Sequence, residues 1–420
     1  MCTVLLALIS ALGDTLPGYM AGIPIWISAL MLVDRVKPSQ RRQILLLFLI
    51  GLVGLVFGTL NGADHHYLLR ALSANQMVVA MLIGVSFLRI VALAGIRSDE
   101  TLPRGKRALL KTLLGTHLFG SVINISSTLI VGDRLSAHRP MQAVQGLTLL
   151  RSFAACAFWS PFFAAMGLTL VSAPGARLET LVLYGLPLAI LALALSAWEI
   201  HRHPDADSAG GYPMHLGALW MPLLLAALVI VSHLIWPRVS VLTLVTLISL
   251  LFTLAWLTLK RGGAGLSEAV NHVRVGLPNL SGEVLLFAAA SMLAAGVAAT
   301  LSSLDLNLAP AHFGPLQACI VLLILVALAM AGMHPVTSVV LAGSILAPSV
   351  NDPNLLGLTL LMGWSLGVAL SPFSGIQLSL QSRYGIKATE LLKLNLLYAP
   401  VMLVICSLVI WLYGMLHPLA

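Results

Sequence analysis

The sequence contains few charged residues: Asp, Glu, Lys and Arg make up only 9% of its 420 residues. A soluble globular domain is roughly one quarter charged. Hydrophobic residues make up 59% of the chain, and the mean hydropathy is +0.98. Because a soluble domain could not cover so much apolar surface, the composition excludes that class. At least nine stretches approach the ~20 apolar residues that cross a bilayer, so we predict an integral membrane protein.

Motifs for several other functions are also absent. The four cysteines form no CxxC pair, which favours buried thiols over disulfides or a metal site. The apolar first residues lack a basic segment before them and a cleavage site after them, so a cleaved signal peptide is not expected. The chain has no P-loop, HExxH, G-x-S-x-G or dinucleotide-binding fingerprint. We therefore expect neither an enzyme nor a cofactor, and the positive net charge does not indicate nucleic-acid binding.

An internal repeat spans the chain. The sequence GLTLL at 146–150 recurs at 357–361, and Ser-Pro-Phe at 160–162 recurs at 371–373, both at an offset of 211 residues. Chance matches are common in Leu-rich sequences, but several at one offset are not. We therefore predict a first repeat at 1–200, a polar cytoplasmic linker at 201–215 and a second repeat at 216–420.

Each repeat has the same predicted order of apolar segments. Three spans come first, then a segment broken in the middle, then a long span interrupted by Ser-Pro, then a last span. In the first repeat these are 17–34, 43–60, 76–96, 107–122 with 124–136, 141–159 with 161–173, and 178–199. In the second they are 216–235, 238–259, 283–301, 316–331 with 335–347, 354–370 with 373–382, and 388–415.

The basic residues predict the topology, because cytoplasmic loops are enriched in Lys and Arg. If 107–136 and 316–347 are re-entrant hairpins, 18 of the 23 Lys and Arg residues lie on one side of the membrane. The predicted fold is therefore all-α, with about ten transmembrane helices and two re-entrant hairpins in two inverted-topology repeats. Both termini would lie outside, on the periplasmic face of an inner cell membrane. Inverted repeats with broken helices are typical of secondary transporters.

Polar residues cluster at the hairpin tips and helix breaks. Their hydroxyls, amides and freed carbonyls could bind a solute or Na⁺; alternatively, the hydroxyls could simply cap their own backbone. We favour binding, because four such sites occupy symmetric positions. The candidates are Asn124, Ser126, Ser127, Thr128, Ser160, Pro161, Thr337, Ser338, Ser371, Pro372, Ser374, Gly375 and Gln377.

Two ionisable residues join this set. Arg151 lies deep in a span, where it could pair with an anionic substrate or with a structural carboxylate or carbonyls. His334, at the second hairpin tip, could carry a coupling proton or form a structural hydrogen bond. These residues leave Na⁺ and H⁺ open as coupling ions.

At these residues the sequence resembles the ion transporter superfamily of elevator-type carriers, which includes the dicarboxylate/sodium symporters and the large membrane subunit of tripartite (TRAP) carriers. Ser371-Pro-Phe-Ser-Gly-Ile-Gln377 is similar to their Pro- and Gly-containing helix break. The symporters' Ser-Asn-Thr tip motif is not present. The resemblance implies one substrate site between tips and breaks, a moving transport domain and a homodimer.

The function we predict is cation-coupled transport of a small anionic, carboxylate-like solute. The nearest alternative is an ion antiporter or exporter on the same fold. An intramembrane enzyme and a membrane subunit served by a soluble binding protein are further alternatives.

Overall fold

The computed structural model describes residues 1–13, 16–94, 102–213 and 220–418. Within these residues the chain is helical and has no β-strand. This confirms the all-α prediction for the described residues. Parts of three predicted segments lie outside them: the spans 76–96 and 216–235 and the linker 201–215.

The described residues form nineteen α-helices. In the first half of the chain these are α1 Cys2–Gly13, α2 Tyr19–Leu32, α3 Pro38–Leu60, α4 His66–Ser73, α5 Gln76–Ala94, α6 Lys106–Ile123, α7 Ile125–Leu135, α8 Ala143–Cys156, α9 Ala164–Ser172 and α10 Leu178–Arg202. The second half contains α11 Trp220–Ile235, α12 Val241–Asn271, α13 Ser281–Ser303, α14 Pro315–Met330, α15 Pro335–Leu346, α16 Pro353–Leu370, α17 Gly375–Tyr384, α18 Ala388–Leu394 and α19 Tyr398–Leu416.

Six helical stretches of the described residues are long and apolar enough to cross a membrane, by length and composition. They are Gln40–Leu60, His66–Ala92, Leu178–Arg202, Val241–Ser303, Pro353–Tyr384 and Tyr398–Leu416. The chain is thus a multi-pass helical membrane protein. The exact number of spans and the re-entrant course of the hairpins remain predictions.

Several helices differ from the sequence-based prediction. The span predicted at 388–415 is interrupted between α18 and α19, where Asn395 ends α18 and Pro400 lies in the first turn of α19. Helix α12 runs past its predicted end to Asn271, with a kink at Gly262, whose φ of +53° suits glycine. The apolar first residues form α1, which we had not predicted to be a separate helix.

The chain forms two compact units, and each unit takes segments from both predicted repeats. Unit 1 comprises 1–94, 227–311 and 340–350. Unit 2 comprises 95–226, 312–339 and 351–420. The compact units therefore cut across the repeat boundaries drawn from the sequence.

Within unit 1, α3 packs on α13 and α5 packs on α12. Glycines make the first of these crossings close: a Cβ added at Gly51 would lie 2.5 Å from the backbone nitrogen of Leu293. The Thr300 hydroxyl, on α13, donates to the Gly54 carbonyl on α3 at 3.0 Å. Small residues allow membrane helices to approach this closely.

Within unit 2, α6 packs on α8 and α14 packs on α16. Helices α8 and α16 form the centre, because every residue from 144 to 156 and from 355 to 370 is buried. They are joined where the Ser365 hydroxyl donates to the Ala154 carbonyl at 2.8 Å. Each central helix ends at one of the predicted Ser-Pro breaks.

Candidate functional site

The first hairpin turns on a single residue, Asn124, between α6 and α7. Its φ of +54° and ψ of −142° are strained for a residue with a side chain, at about 1–3 kcal/mol. The Asn124 amide donates to the carbonyl of Phe162 at 2.9 Å. Because Phe162 belongs to the first helix break, this bond fixes the tip against the break.

The first break separates α8 from α9 at Ser160-Pro161. The Ser160 hydroxyl accepts a hydrogen bond from the Phe162 N–H at 3.2 Å and donates to the Ser121 carbonyl on α6. Ser160 thus replaces a lost helical bond and ties the break to the hairpin.

The second break repeats this arrangement at Ser371-Pro372. The Ser371 hydroxyl accepts from the Phe373 N–H at 3.3 Å and donates to the Met333 carbonyl at 3.0 Å. Met333 lies in the turn between α14 and α15. The two serines, 211 residues apart, therefore make the same pair of contacts, although the inverted repeat itself remains a prediction.

The break at Pro372 leaves two carbonyls of the last turn of α16 without helical donors. The Ser374 hydroxyl donates to the Val368 carbonyl at 2.9 Å, and the Gln377 amide donates to the Ala369 carbonyl at 2.8 Å. Side chains from the start of α17 thus satisfy the end of α16.

Both hairpin tips approach the second break within unit 2. A Cβ at Gly375 would lie 3.9 Å from Ile125 Cδ1, next to the first tip. A Cβ at Gly367 would lie 3.1 Å from Pro335 Cγ, in the second tip. The two tips and the second break therefore form one contiguous region, and the Asn124 contact adds the first break.

Most of the predicted hydroxyl ligands bind backbone in this region. Besides Ser160, Ser371 and Ser374, the Ser127 hydroxyl donates to the Asn124 carbonyl at 2.9 Å and the Ser338 hydroxyl donates to the Pro335 carbonyl at 3.1 Å. These contacts match the capping alternative: the five serines shape the tips and breaks.

Three side-chain oxygens in the region are buried and have no hydrogen-bond partner among the described residues. They are Thr128 Oγ1 on α7, Thr337 Oγ1 on α15 and Gln377 Oε1 on α17. An unsatisfied buried polar group costs about 1–3 kcal/mol, so each of them calls for an explanation. A bound ligand would supply the missing partners. Ser126, beside Thr128, is partly exposed.

His334 caps α15 through its ring. Its Nδ1 accepts a hydrogen bond from the Val336 N–H at 3.1 Å. Because Nδ1 accepts, the neutral ring carries its proton on Nε2, which remains a donor. His334 is partly exposed, so this donor could reach a ligand.

Arg151 is fully buried, and all three of its guanidinium nitrogens are engaged. Nη1 pairs with Glu199, Nε donates to Asn395 Oδ1 at 3.2 Å, and Nη2 donates to the Leu394 carbonyl at 2.8 Å. The guanidinium carbon lies 4.3 Å from the centre of the Tyr398 ring. These contacts match the structural alternative for Arg151, and its role toward a substrate anion stays a prediction.

The sequence analysis did not single out His117, which lies on α6 beside the first break. Its Nδ1 is 3.1 Å from the Ser152 carbonyl, and its Nε2 accepts from the Trp159 indole N–H at 3.2 Å. A carbonyl can only accept and an indole N–H can only donate, so the ring is the neutral Nδ1–H tautomer. The Cys156 thiol is 3.5 Å from Nδ1. A lone His in an apolar segment was the available signal.

No protein-family model matches the sequence, and no curated protein matches it. Among solved structures, the chain is similar to the YdaH transporter of Alcanivorax borkumensis, whose crystal structure is described as having an unusual topology. The sequence identity is 16%, over 81% of this chain and 85% of that one, with a TM-score of 0.47. At that level, the similarity assigns neither a fold nor a function to this chain.

Proposed function

We propose that the protein is a secondary active transporter of a small anionic solute, coupled to Na⁺ or H⁺. The observation that carries this proposal is the contiguous region of two hairpin tips and a broken helix in a membrane protein. Irregular backbone at membrane depth is tolerated where it is buried or lines a cavity. Here it leaves three buried oxygens without partners among the described residues, at Thr128, Thr337 and Gln377.

The preference for an anionic solute rests on helix N-termini and not on Arg151. Helices α7, α15 and α17 all begin at the tips or the second break. Each N-terminus carries about half a positive charge; at α15, Pro335 has no N–H and the N–H groups of Val336 and Thr337 are already bonded to His334. The His334 Nε2–H adds a further donor, so a carboxylate would find several donors at the tips.

Neutral oxygens support a coupling Na⁺. Thr128 Oγ1, Thr337 Oγ1 and Gln377 Oε1 are uncharged oxygens, the ligand type that hard cations accept. For H⁺ coupling the candidate is His334, because protonation of Nδ1 would remove the acceptor that caps α15. The described residues contain no group of three His, Cys, Asp or Glu side chains suited to a transition metal.

We further propose that unit 2, which contains all the candidate residues, moves as one body in an elevator-type cycle. The division of the chain into two compact units, each built from both halves, supports this mechanism. A homodimer, an inner-membrane location and periplasmic termini belong to the same proposal.

A thermal-shift screen of the purified protein would test the function. Small carboxylates and sulfonates would be added with Na⁺ or with choline, from pH 5.5 to 8. A ligand at 100 times its Kd should stabilise the folded state by about 2.7 kcal/mol. We expect one anion class to raise the melting temperature, with a dependence on Na⁺ or on pH.

Matched variants would locate the site. Thr337→Val removes an unpaired hydroxyl and should abolish the ligand-induced shift. Thr359→Val removes a buried hydroxyl that is already bonded to the Leu355 carbonyl, so it should keep the shift. If no anion shifts the wild type but a cation does, the antiporter replaces the symporter.

A further inference from the structure

The Ala369 carbonyl, at the end of α16, receives two side-chain donors. Gln377 Nε2 lies 2.8 Å from it and Asn395 Nδ2 lies 3.3 Å from it. Gln377 comes from the far side of the break, and Asn395 from the interruption between α18 and α19. One carbonyl thus joins three helical segments of unit 2.

Asn395 is itself held at both ends of its amide. Its second Nδ2 hydrogen bonds the Leu391 carbonyl at 2.8 Å, and its Oδ1 accepts from Arg151 Nε at 3.2 Å. Arg151 is in turn paired with Glu199. A continuous chain of polar contacts therefore runs from Glu199 through Arg151 and Asn395 to the second helix break.

These contacts fix the orientation of the Gln377 amide. A carbonyl can only accept, so the group that faces Ala369 must be the NH₂ of Gln377 and not its oxygen. Gln377 Oε1 is then turned away from Ala369, where it is buried and without a partner among the described residues. Any group that binds at Oε1 must be a cation or a hydrogen-bond donor.

We propose that Glu199, Arg151 and Asn395 are positioning residues that hold the Ala369 carbonyl and the Gln377 side chain, so that Gln377 Oε1 accepts from the bound ion or solute. This inference rests on the proposed function, because it assigns the relay to the same site. It assigns Arg151 the structural one of the two roles predicted for it, because the guanidinium acts through Asn395.

The charges of the relay compensate each other. Removing Arg151 alone would leave the Glu199 carboxylate, only 13% exposed, without its partner, which is strongly destabilising. The double variant Arg151→Met/Glu199→Gln removes both charges and avoids that defect. Asn395→Asp is the sharper change, because its carboxylate still accepts from Arg151 but has no hydrogen to donate to Ala369 or Leu391.

Hydrogen exchange measured by mass spectrometry tests the relay without any ligand. Loss of the Asn395 hydrogen bond to Ala369 should speed amide exchange at 373–378 by about three- to tenfold, the range expected for one buried hydrogen bond. We expect this in Asn395→Asp and Asn395→Ala. The double variant keeps the Asn395 donor but removes the Arg151 contact that orients it, so its exchange should rise by a smaller factor. Thr359→Val is the control: Thr359 is buried on α16, the helix of Ala369, but lies outside the relay. This variant should leave exchange at 373–378 unchanged. If amide exchange at 373–378 in Asn395→Ala equalled that of the wild type, the proposed relay would be refuted.

The ligand readout uses Na⁺ against choline at constant ionic strength, with the solute found in the thermal-shift screen present where one exists. Asn395→Asp should raise the half-maximal Na⁺ or solute concentration about tenfold, while the maximal stabilisation is retained; Thr359→Val should not. If Asn395→Asp exchanged faster at 373–378 but kept the wild-type half-maximal Na⁺ or solute concentration, a role of the relay in ligand binding would be refuted. A wild type that responds to no ion or solute would refute the proposed function, and the exchange data would still decide the relay.

Discussion

The close crossing of α3 and α13 gives a sharp prediction for unit 1. A Cβ added at Gly296 would lie 2.7 Å from the carbonyl carbon of Gly51 and 2.9 Å from its Cα. These neighbours are backbone atoms, which cannot rotate away. Gly296→Ala must therefore push the two helices apart.

The expected size follows from the distances. Ordinary Cβ contacts begin near 3.4 Å, so the Gly51 carbonyl carbon alone requires the helices to separate by about 0.7 Å, and the nearer Gly51 carbonyl oxygen requires more. Separation would also lengthen the hydrogen bond from Thr300 to the Gly54 carbonyl. Overpacking of this kind costs about 1–3 kcal/mol. For a folded unit of 150–250 residues, 1 kcal/mol corresponds to about 2–4 °C in melting temperature.

Gly263→Ala is the matched control. Gly263 lies in α12 of the same unit, and a Cβ added there would meet no atom within 4 Å. Ala at this position should be neutral, or stabilising by up to about 1 kcal/mol through helix propensity. The measurement compares the melting temperatures of Gly296→Ala, Gly263→Ala and the wild type in one detergent. If Gly296→Ala melted with the wild type and with Gly263→Ala, the close crossing would be incorrect.

Three further predictions concern unit 2, each to be checked by thermal melts of purified variants. Gly132→Ala would set a Cβ 2.6 Å from the Tyr384 hydroxyl and should cost about 1–3 kcal/mol; adding Tyr384→Ala should recover most of that loss, and additive effects would contradict the contact. Ser371→Ala should cost about 1–3 kcal/mol, because the Met333 carbonyl loses its donor. His334→Ala should cost about 0.5–2 kcal/mol by uncapping α15, whereas His334→Asn should restore the cap.

Much of the helical layout could be predicted from the sequence. The hairpin arms predicted at 107–122 and 124–136 correspond to α6 and α7 within one residue at each end. Apolar runs in a membrane must satisfy their own backbone hydrogen bonds, so they become helices. Proline and Asn then mark the interruptions, because they end the regular hydrogen-bond pattern.

The partners of Arg151 could not be predicted in the same way. Glu199 lies 48 residues away and Asn395 lies 244 residues away, so only the packing of distant helices brings them together. The break at Asn395 was also missed, because its neighbours are apolar and the span reads as continuous. Asn395 among Leu residues and Pro400 five residues later were the available signals. Depth in a span therefore singled out Arg151 and left a structural carboxylate open as its partner, but it did not name Glu199 or Asn395.

The offset of 211 residues, which relates the two predicted hairpins, also shows a difference between them. At the far end of α7, Asp133 accepts from Arg383 Nη2 at 3.1 and 2.9 Å and from the Tyr384 hydroxyl at 2.8 Å. The residues related to Asp133 and Arg383 by 211 positions are Ser344 and Ser172, which cannot form an ion pair. An exposed ion pair contributes only about 0–1 kcal/mol to stability, so the ion pair between Asp133 and Arg383 can break and re-form readily. Because the second hairpin cannot form the same ion pair, the two hairpins are not held by the same contacts.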